Sequence, residues 1–412
     1  TRQAARSNAM TPDPAILVVN CGSSSVKFAL FAADRAAPRR LWSGALERLG
    51  LPDGRFSATT EGGGVLFDET HDIPNHVAAL DMLLSRLEEL LPRNRLWAVG
   101  HRVVHGGDAC DCPLFVTPTL EARLRKLIPL APLHLPHNLA GIMAVRVRRP
   151  DLPQIASFDT AFHHGLPRVA RLTALPRRFE EQGIRRFGFH GLSYEYIVEH
   201  LRERAGEDAA RGRIIIAHLG NGASMAAVRD GRSVETTMGF STLAGLPMGT
   251  RSGDIDPGIV LYLQTEHGMT APEVQDLLYE GSGLLGLSGL SRNMRELLEC
   301  TDTEPAAAEA IDFFCYRARK HLAALTATLG GLDRLVFTGG IGANAPAIRA
   351  RICDGLSYLG VEIDARRNAG GDRTISSGAS AVVVEAVPTD EELMIARHVQ
   401  RVLLRHPMTR TA

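Results

Sequence analysis

The sequence predicts an α/β protein of two domains with a duplicated architecture. Three observations point there. The chain has 412 residues, more than one hydrophobic core ordinarily serves. Short β-branched runs alternate with stretches of helical periodicity, the pattern of strands layered against helices. A strand–turn–strand unit near the start returns about 200 residues later in the same design.

Taken in order, Ile16 to Asn20 is an apolar run that breaks at Gly22-Ser23-Ser24-Ser25 and resumes from Val26 to Phe31, which reads as a β-hairpin. Val77, Leu80, Leu84, Leu87 and Leu91 recur at helical spacing and predict a core-facing helix. Arg95 to Val104 reads as a strand running into a loop. Pro129 to Pro136 interleaves prolines with apolar residues and reads as a structured loop. Ile214 to Leu219, Gly220-Asn221-Gly222 and Ala223 to Val228 repeat the hairpin. Ile311, Phe314, Ala318, Leu322, Leu325 and Leu329 form a second helical stripe, again predicted as core. Arg334 to Thr338 reads as a strand entering a glycine turn, with a helix expected near Pro346.

Composition narrows the function classes. Lys+Arg and Asp+Glu balance at 46 each, so bulk charge gives no pull toward nucleic acid or an anionic membrane. No apolar run approaches the roughly 20 residues that span a bilayer. Thr1 to Ala9 ahead of Met10 reads as a tag remnant, residues 1–10 as a disordered start, and the lack of an apolar signal core predicts a cytoplasmic protein. Cys21, Cys110, Cys112, Cys300, Cys315 and Cys353 form no paired C-x-x-C motifs, which predicts reduced thiols rather than a zinc site. His163-His164 and His134-x-x-His137 lack further ligands at suitable spacing and read as structural.

Three glycine-rich turns follow apolar strands: Asn20-Cys21-Gly22-Ser23-Ser24-Ser25-Val26-Lys27, His218-Leu219-Gly220-Asn221-Gly222 and Thr338-Gly339-Gly340-Ile341-Gly342-Ala343-Asn344. Small residues let backbone N–H groups approach a phosphate, and hydroxyls and an ammonium add donors. No G-x-x-x-x-G-K-[ST] occurs, so the chain is not a P-loop enzyme, and Gly339-Gly340-x-Gly342 lacks the G-x-G-x-x-G spacing of a dinucleotide fold. Polar residues cluster beside these turns, in HRVVHGG from His101, FDTAFH from Phe158, FGFHG from Phe187 and MGTRSGDIDPG from Met248. An arginine flanked by glycine and small residues has little local packing role, which points to ligand contact.

With these motifs in order, the sequence resembles the acetate kinases of the acetokinase family, within the actin-like ATPase superfamily. The resemblance runs from about Ile16 to Arg397 and rests on VNCGSSSVKF, GHRVVHGG, PLAPLH, FDTAFH, RRFGFHG, HLGNGAS, MGTRSGDIDPG, SGLLGLSGLS, FTGGIG and PTDEELMIAR. It implies two actin-like (ribonuclease H-like) domains with mixed sheets, hinged around a nucleotide cleft. They would be residues 11–160 with 391–412, and residues 161–390. It implies a homodimer, ATP and ADP as co-substrates, Mg2+ or Mn2+, and acetate or acetyl phosphate as the second substrate. Asn20 and Glu391 match the residues used near the metal. Ser23, Ser25 and Lys27 match one phosphate loop, and His218, Leu219, Gly220, Asn221 and Gly222 the other. Asn293, Met294 and Arg295 match a nucleotide-side segment, and Gly340, Ile341, Gly342, Ala343 and Asn344 the adenosine loop. Arg102 matches the substrate-carboxylate arginine. His190 and Arg251 match the groups that stabilise the transition state, and Asp159 the residue usually assigned as acid/base.

Acetate is ionised at pH 7 and needs no deprotonation to attack phosphorus. Asp159 is therefore expected to orient an arginine or a magnesium-bound water. Val104 stands where acetate-type members carry valine and propionate-type members tend to carry alanine. The chain departs from the family at Leu135, Leu192, Tyr194, Asn293 and Ala343, where Asn, Thr, His, Asp and Glu are usual. Gly340-Ile341 is kept and leaves room for adenosine rather than pyrophosphate. The alternatives are a propionate or butyrate kinase of the same family, and a non-catalytic actin-like nucleotide-binding protein.

Overall fold

A computed structural model describes residues 14–34, 37–91 and 95–406; the expected tag remnant, residues 1–10, lies outside them. By compactness the chain divides into two units. One runs to Gly106, resumes over Cys112–Phe158 and takes in the segment from Glu392. The other comprises Gly107–Asp111 and Asp159–Glu391. Gly107–Asp111 is held to the second unit by an ion pair between Asp108 and Arg185.

The first unit is built on an eight-stranded mixed sheet: β1 Ala15–Cys21, β2 Ser25–Ala32, β3 Arg39–Glu47, β4 Gly54–Thr60, β5 Val65–His71, β6 Leu96–Val103, β7 Leu114–Phe115 and β8 Gln154–Phe158. The order is β5-β4-β3-β2-β1-β6-β8-β7. β1 to β5 form an antiparallel meander, and β6 and β8 add parallel on the far side of β1. Alternate residues of β1, Ala15, Leu17, Val19 and Cys21, enter one core with Leu80, Leu83, Leu84 and Leu87 of the helix His76–Leu90 and Val145 of the helix Leu135–Arg148. Ile16 and Val18 face the other way and are also fully buried. On that face Gly100 of β6 lies under Ile395 and Val399 of the helix Glu391–Arg405, where a β-carbon would come within 2.6 Å of Ile395.

The second unit carries a smaller sheet of the same plan: β9 Ile214–Leu219, β10 Ala223–Arg229, β11 Arg232–Thr236, β12 Arg334–Thr338 and β13 Val383–Ala386, in the order β11-β10-β9-β12-β13. Again an antiparallel meander (β9 to β11) is extended by parallel strands beside its first member. Ile214 and Ile216 of β9 pack with Tyr194, Ile197, Val198 and Leu201 of the helix Gly191–Ala205. The helix Pro305–Leu329 buries all six residues of its expected stripe. Both expected hairpins are present, as β1–β2 and β9–β10.

Two expectations need correction. Val77 is 56% exposed, while Ala79 and Leu83 face the core with Leu80, Leu84 and Leu87. Asn75 sets this: its side chain accepts from the N–H groups of Val77 and Ala78, so the helix starts at His76 and its first turn points Val77 outward. The third glycine segment is itself a short helix, Gly339–Asn344, followed by Pro346–Cys353. Gly339, at φ +75°, turns the chain from β12 directly into it.

Candidate functional site

In the first unit the β1–β2 loop is closed by a hydrogen bond from Gly22 N–H to the Ser25 carbonyl, 2.8 Å. Asn20 and Lys27 stand opposite each other on the ladder. Ser23 and Lys27 are exposed and Ser25 is half-buried, so the loop presents hydroxyls and an ammonium outward. Two residues that the sequence did not flag hold it. His76 Nε2 donates to the Gly22 carbonyl at 2.6 Å, and its ring stacks on His137. Asn138, buried, donates to the Cys21 carbonyl at 3.0 Å and accepts from the Val104 N–H at 3.0 Å. One amide thus ties the end of β1 to the turn that follows Arg102. Helix Leu135–Arg148 can bring Asn138 there because Gly141 lets it lie on Cys21; a β-carbon at Gly141 would be 2.6 Å from Cys21 Sγ. Arg102 is half-buried near the end of β6, opposite Ser157 of β8, and Val104 is 8% exposed.

The second unit gathers most of the remaining candidates. Asp159 directly follows β8 and is buried. Its carbonyl accepts from Gly191 N–H at 2.9 Å, an approach that a β-carbon at Gly191 would block at 2.2 Å. This docks the start of the helix Gly191–Ala205 on Asp159 and fixes His190, its cap residue, in the left-handed region at φ 58°. A histidine there is strained relative to glycine. Its ring stacks on His218 of β9, with centroids 4.3 Å apart. Ser224 Oγ meets His190 Nδ1 at 2.8 Å, and Ser193 Oγ meets His218 Nδ1 at 2.8 Å.

The glycine loop after His218 completes the cluster. A β-carbon at Gly222 would lie 3.1 Å from His190 Nε2 and 3.7 Å from Arg251 Nη1, so both side chains reach this loop. Arg251 is aimed by its Nη1 donating to the Thr242 carbonyl at 3.2 Å. Gly249, in the same segment, donates to the Asn221 carbonyl at 3.1 Å and passes close to the Arg292 carbonyl, which brings the Asn293–Arg295 segment alongside. Asn293 caps the helix Met294–Glu299 and also donates to Glu296 Oε1 at 3.0 Å, a bond that the family's usual aspartate could not make. The Gly339–Asn344 helix abuts the loop: Gly340 N is 3.7 Å from a β-carbon built on Gly220. A β-carbon at Gly340 itself would meet nothing within 4 Å.

Arg349, almost fully buried, clamps that helix. Its Nη1 donates to the carbonyls of Gly342 and Ala343 at 2.9 and 2.8 Å, and its Nε to Asn368 Oδ1 at 2.8 Å. Burial lowers its pKa from the usual arginine value. His163 is enclosed between Ser233 Oγ and the Phe189 carbonyl, and desolvation pushes it down to about 4. It is therefore a neutral core residue. The thiols of Cys21, Cys315 and Cys353 are pushed up to about 12 by burial. Among the described residues no three His, Cys, Asp or Glu side chains group as a metal site, and no helix is long and apolar enough to cross a membrane.

An imidazole and a guanidinium converging on a glycine loop, with backbone N–H groups free of β-carbons nearby, form an anion-binding arrangement suited to phosphoryl groups. A sequence profile described as the acetokinase family matches residues 15–397. Acetate kinase from Rhodopseudomonas palustris is 51% identical, over 94% of this chain and 98% of that protein. Acetate kinase from Rhizobium meliloti is 47% identical, over 93% and 97%. Among solved structures, acetate kinase from Porphyromonas gingivalis superposes with a TM-score of 0.86 at 38% identity, over 95% of this chain and 100% of that one. A propionate kinase from Francisella tularensis superposes with 0.88 at 37%, over 93% and 98%.

Proposed function

The chain belongs to the acetokinase family, and we propose that it transfers the γ-phosphoryl group of ATP reversibly to acetate, giving acetyl phosphate and ADP. The observation that carries this reading is the approach of His190 Nε2 and Arg251 Nη1 to Gly222, a phosphate loop with two donors already aimed at it. The domains we propose are residues 11–160 with 391–412 and residues 161–390.

The acid arrives as an anion and must meet a polyanion, so the chemistry needs positioning and charge compensation more than proton removal. We assign Arg102 to the acetate carboxylate, and His190 and Arg251 to the transferring phosphoryl oxygens. Ser23, Ser25, Lys27 and the 218–222 loop hold the other phosphates. Gly340–Asn344 and Asn293–Arg295 take the nucleoside. Asp159, buried at the root of the helix that carries His190, orients its neighbours. The amide oxygen of Asn20 and the carboxylate of Glu391 are each a hard donor of the kind Mg2+ or Mn2+ accepts, so the chemistry of each fits the expected ion. When bound, that ion supplies further neutralisation of the phosphate charge.

Val104 sets acid length in this account. A pocket wall of this kind discriminates one methylene by about 1 to 3 kcal/mol, so acetate is preferred and propionate is slower. A propionate preference is the second reading, given the fit to a propionate kinase structure. We also propose a homodimer in the cytoplasm. The apolar helix Pro257–Thr265 buries none of its residues in the chain, and Ile259, Leu261 and Tyr262 are 49%, 63% and 57% exposed, as expected of a face that a second copy covers.

The test is hydroxylamine trapping of acyl phosphate with ATP, Mg2+ and acids from formate to butyrate. The highest kcat/KM with acetate supports the proposal. Propionate winning moves the reading to the second one, and no reaction with any acid returns the binding-protein alternative.

A further inference from the structure

Tyr194 stands on the helix Gly191–Ala205 where the family usually carries histidine, and it is fully buried. Its ring packs against Phe162 and His163, with centroids 6.0 and 5.5 Å away. Its hydroxyl is hydrogen-bonded to Ser224 Oγ, which in turn lies 2.8 Å from His190 Nδ1. These three groups make a chain that ends on a proposed transition-state residue.

The direction of the protons along that chain follows from burial. If Ser224 donated to Tyr194, the phenol hydrogen would need another acceptor. Ser224 Oγ is its hydrogen-bond partner among the described residues, so a buried donor would be left unmet. The phenol therefore donates to Ser224, the serine hydrogen goes to His190 Nδ1, and the neutral imidazole carries its proton on Nε2. Nε2 is the atom that reaches the Gly222 loop.

We propose that Tyr194 is a positioning residue that acts through Ser224 to lock His190 as its Nε2–H tautomer, so that His190 presents a donor to phosphoryl oxygens without having to be an imidazolium. The assignment rests on the reading that His190 faces the transferring phosphoryl group. A histidine in place of Tyr194 has two ring nitrogens and can exchange donor for acceptor. The tyrosine brings a single hydroxyl whose buried hydrogen takes Ser224 Oγ as its acceptor, which fixes the direction of the bond. The substitution thus hard-wires a tautomer that a histidine would leave open.

The test is 15N NMR of histidine-labelled full-length protein without ligands, with His190 assigned by its loss in His190→Gln. The expected spectrum shows His190 protonated at Nε2 and bare at Nδ1. In Tyr194→Phe the Nδ1–H tautomer should appear, and kcat should fall about ten- to a hundred-fold, the range for partners that orient a functional histidine, with KM for both substrates unchanged. Ser224→Ala should give the same two changes if Tyr194→Phe does not fold. A proton on Nδ1 in the unmodified protein overturns the proposal, as does a Tyr194→Phe protein with unchanged tautomer and kcat. The tautomer is read without turnover. Absence of acyl phosphate formation would therefore sink the kinase reading and leave this result standing on its own.

Discussion

The rings of His190 and His218 lie stacked, 4.3 Å between centroids and 20° between planes, with each Nδ1 engaged by a separate serine. His218 is therefore the floor on which His190 rests. His190→Ala is expected to lower kcat about 100- to 1000-fold, as for loss of one preorganised donor. His218→Ala should cost about ten- to a hundred-fold by letting the upper ring tilt. Because the two act as a unit, the double variant should be little worse than His190→Ala alone. Steady-state kinetics on the three proteins decide this, and additive losses would show that the rings act independently.

Asn138 joins the carbonyl of Cys21 to the N–H of Val104. Asn138→Ala leaves both groups buried without that partner and should cost about 2 to 4 kcal/mol of stability. The loss should be accompanied by a raised KM for acetate, since Val104 is no longer held. Thermal denaturation and acetate titration check the two parts separately. An unchanged melting temperature would contradict the first.

Glycines at two places predict opposite phenotypes. Gly191→Ala puts a methyl group 2.2 Å from the Asp159 carbonyl, and the helix must shift, so folding or His190 placement fails. Gly340→Ala meets nothing within 4 Å and should leave the melting temperature alone. If nucleoside occupies that space, the same methyl should raise KM for ATP about tenfold or more, the scale of overpacking a contact. Unchanged nucleotide affinity would remove the adenosine assignment.

Val104→Ala enlarges the site by about two methyl groups and should shift kcat/KM toward propionate by about ten-fold or more. A ratio of propionate to acetate unaffected by the change would show that another residue sets acid length.

Stability should fall on acidification. Burial holds His101, which donates from Nε2 to Gln154 Oε1 at 2.7 Å, and His163 each down to about 4, against an ordinary 6.5. As pH drops, the unfolded chain takes up these protons first. Their contribution is complete above about pH 6.5 and is lost progressively between about 6.5 and 4, on the order of 2 to 3 kcal/mol per histidine. Urea midpoints followed down this range test it, and a flat profile would contradict it.

Much of the fold was legible because its signals are local. The β1–β2 and β9–β10 hairpins show as apolar runs broken by small residues, and the sheets they belong to are the mixed, actin-like ones that the resemblance implied. The helix Pro305–Leu329 shows in its periodicity. Val77 was misplaced because periodicity fixes a face only to within a residue, while the Asn75 cap fixes the rotation. The supports of the site were not legible. Asn138, Ser193, Arg349 and Asn368 act through partners 25, 117 or 19 positions away in sequence, and no spacing rule reports such pairs. Ser224 lay inside a recognised motif, but its hydrogen bond to His190 depends on how helix and sheet pack.

In the proposed reaction acetate itself receives the phosphoryl group. ADP release measured against added acetate, with Mg2+ and alongside Arg251→Ala, tests it most directly. ADP is expected to form one-for-one with trapped acetyl hydroxamate, at a rate lower by about 100- to 1000-fold in the variant. ADP release that is indifferent to acetate, or equal in the two proteins, would contradict it.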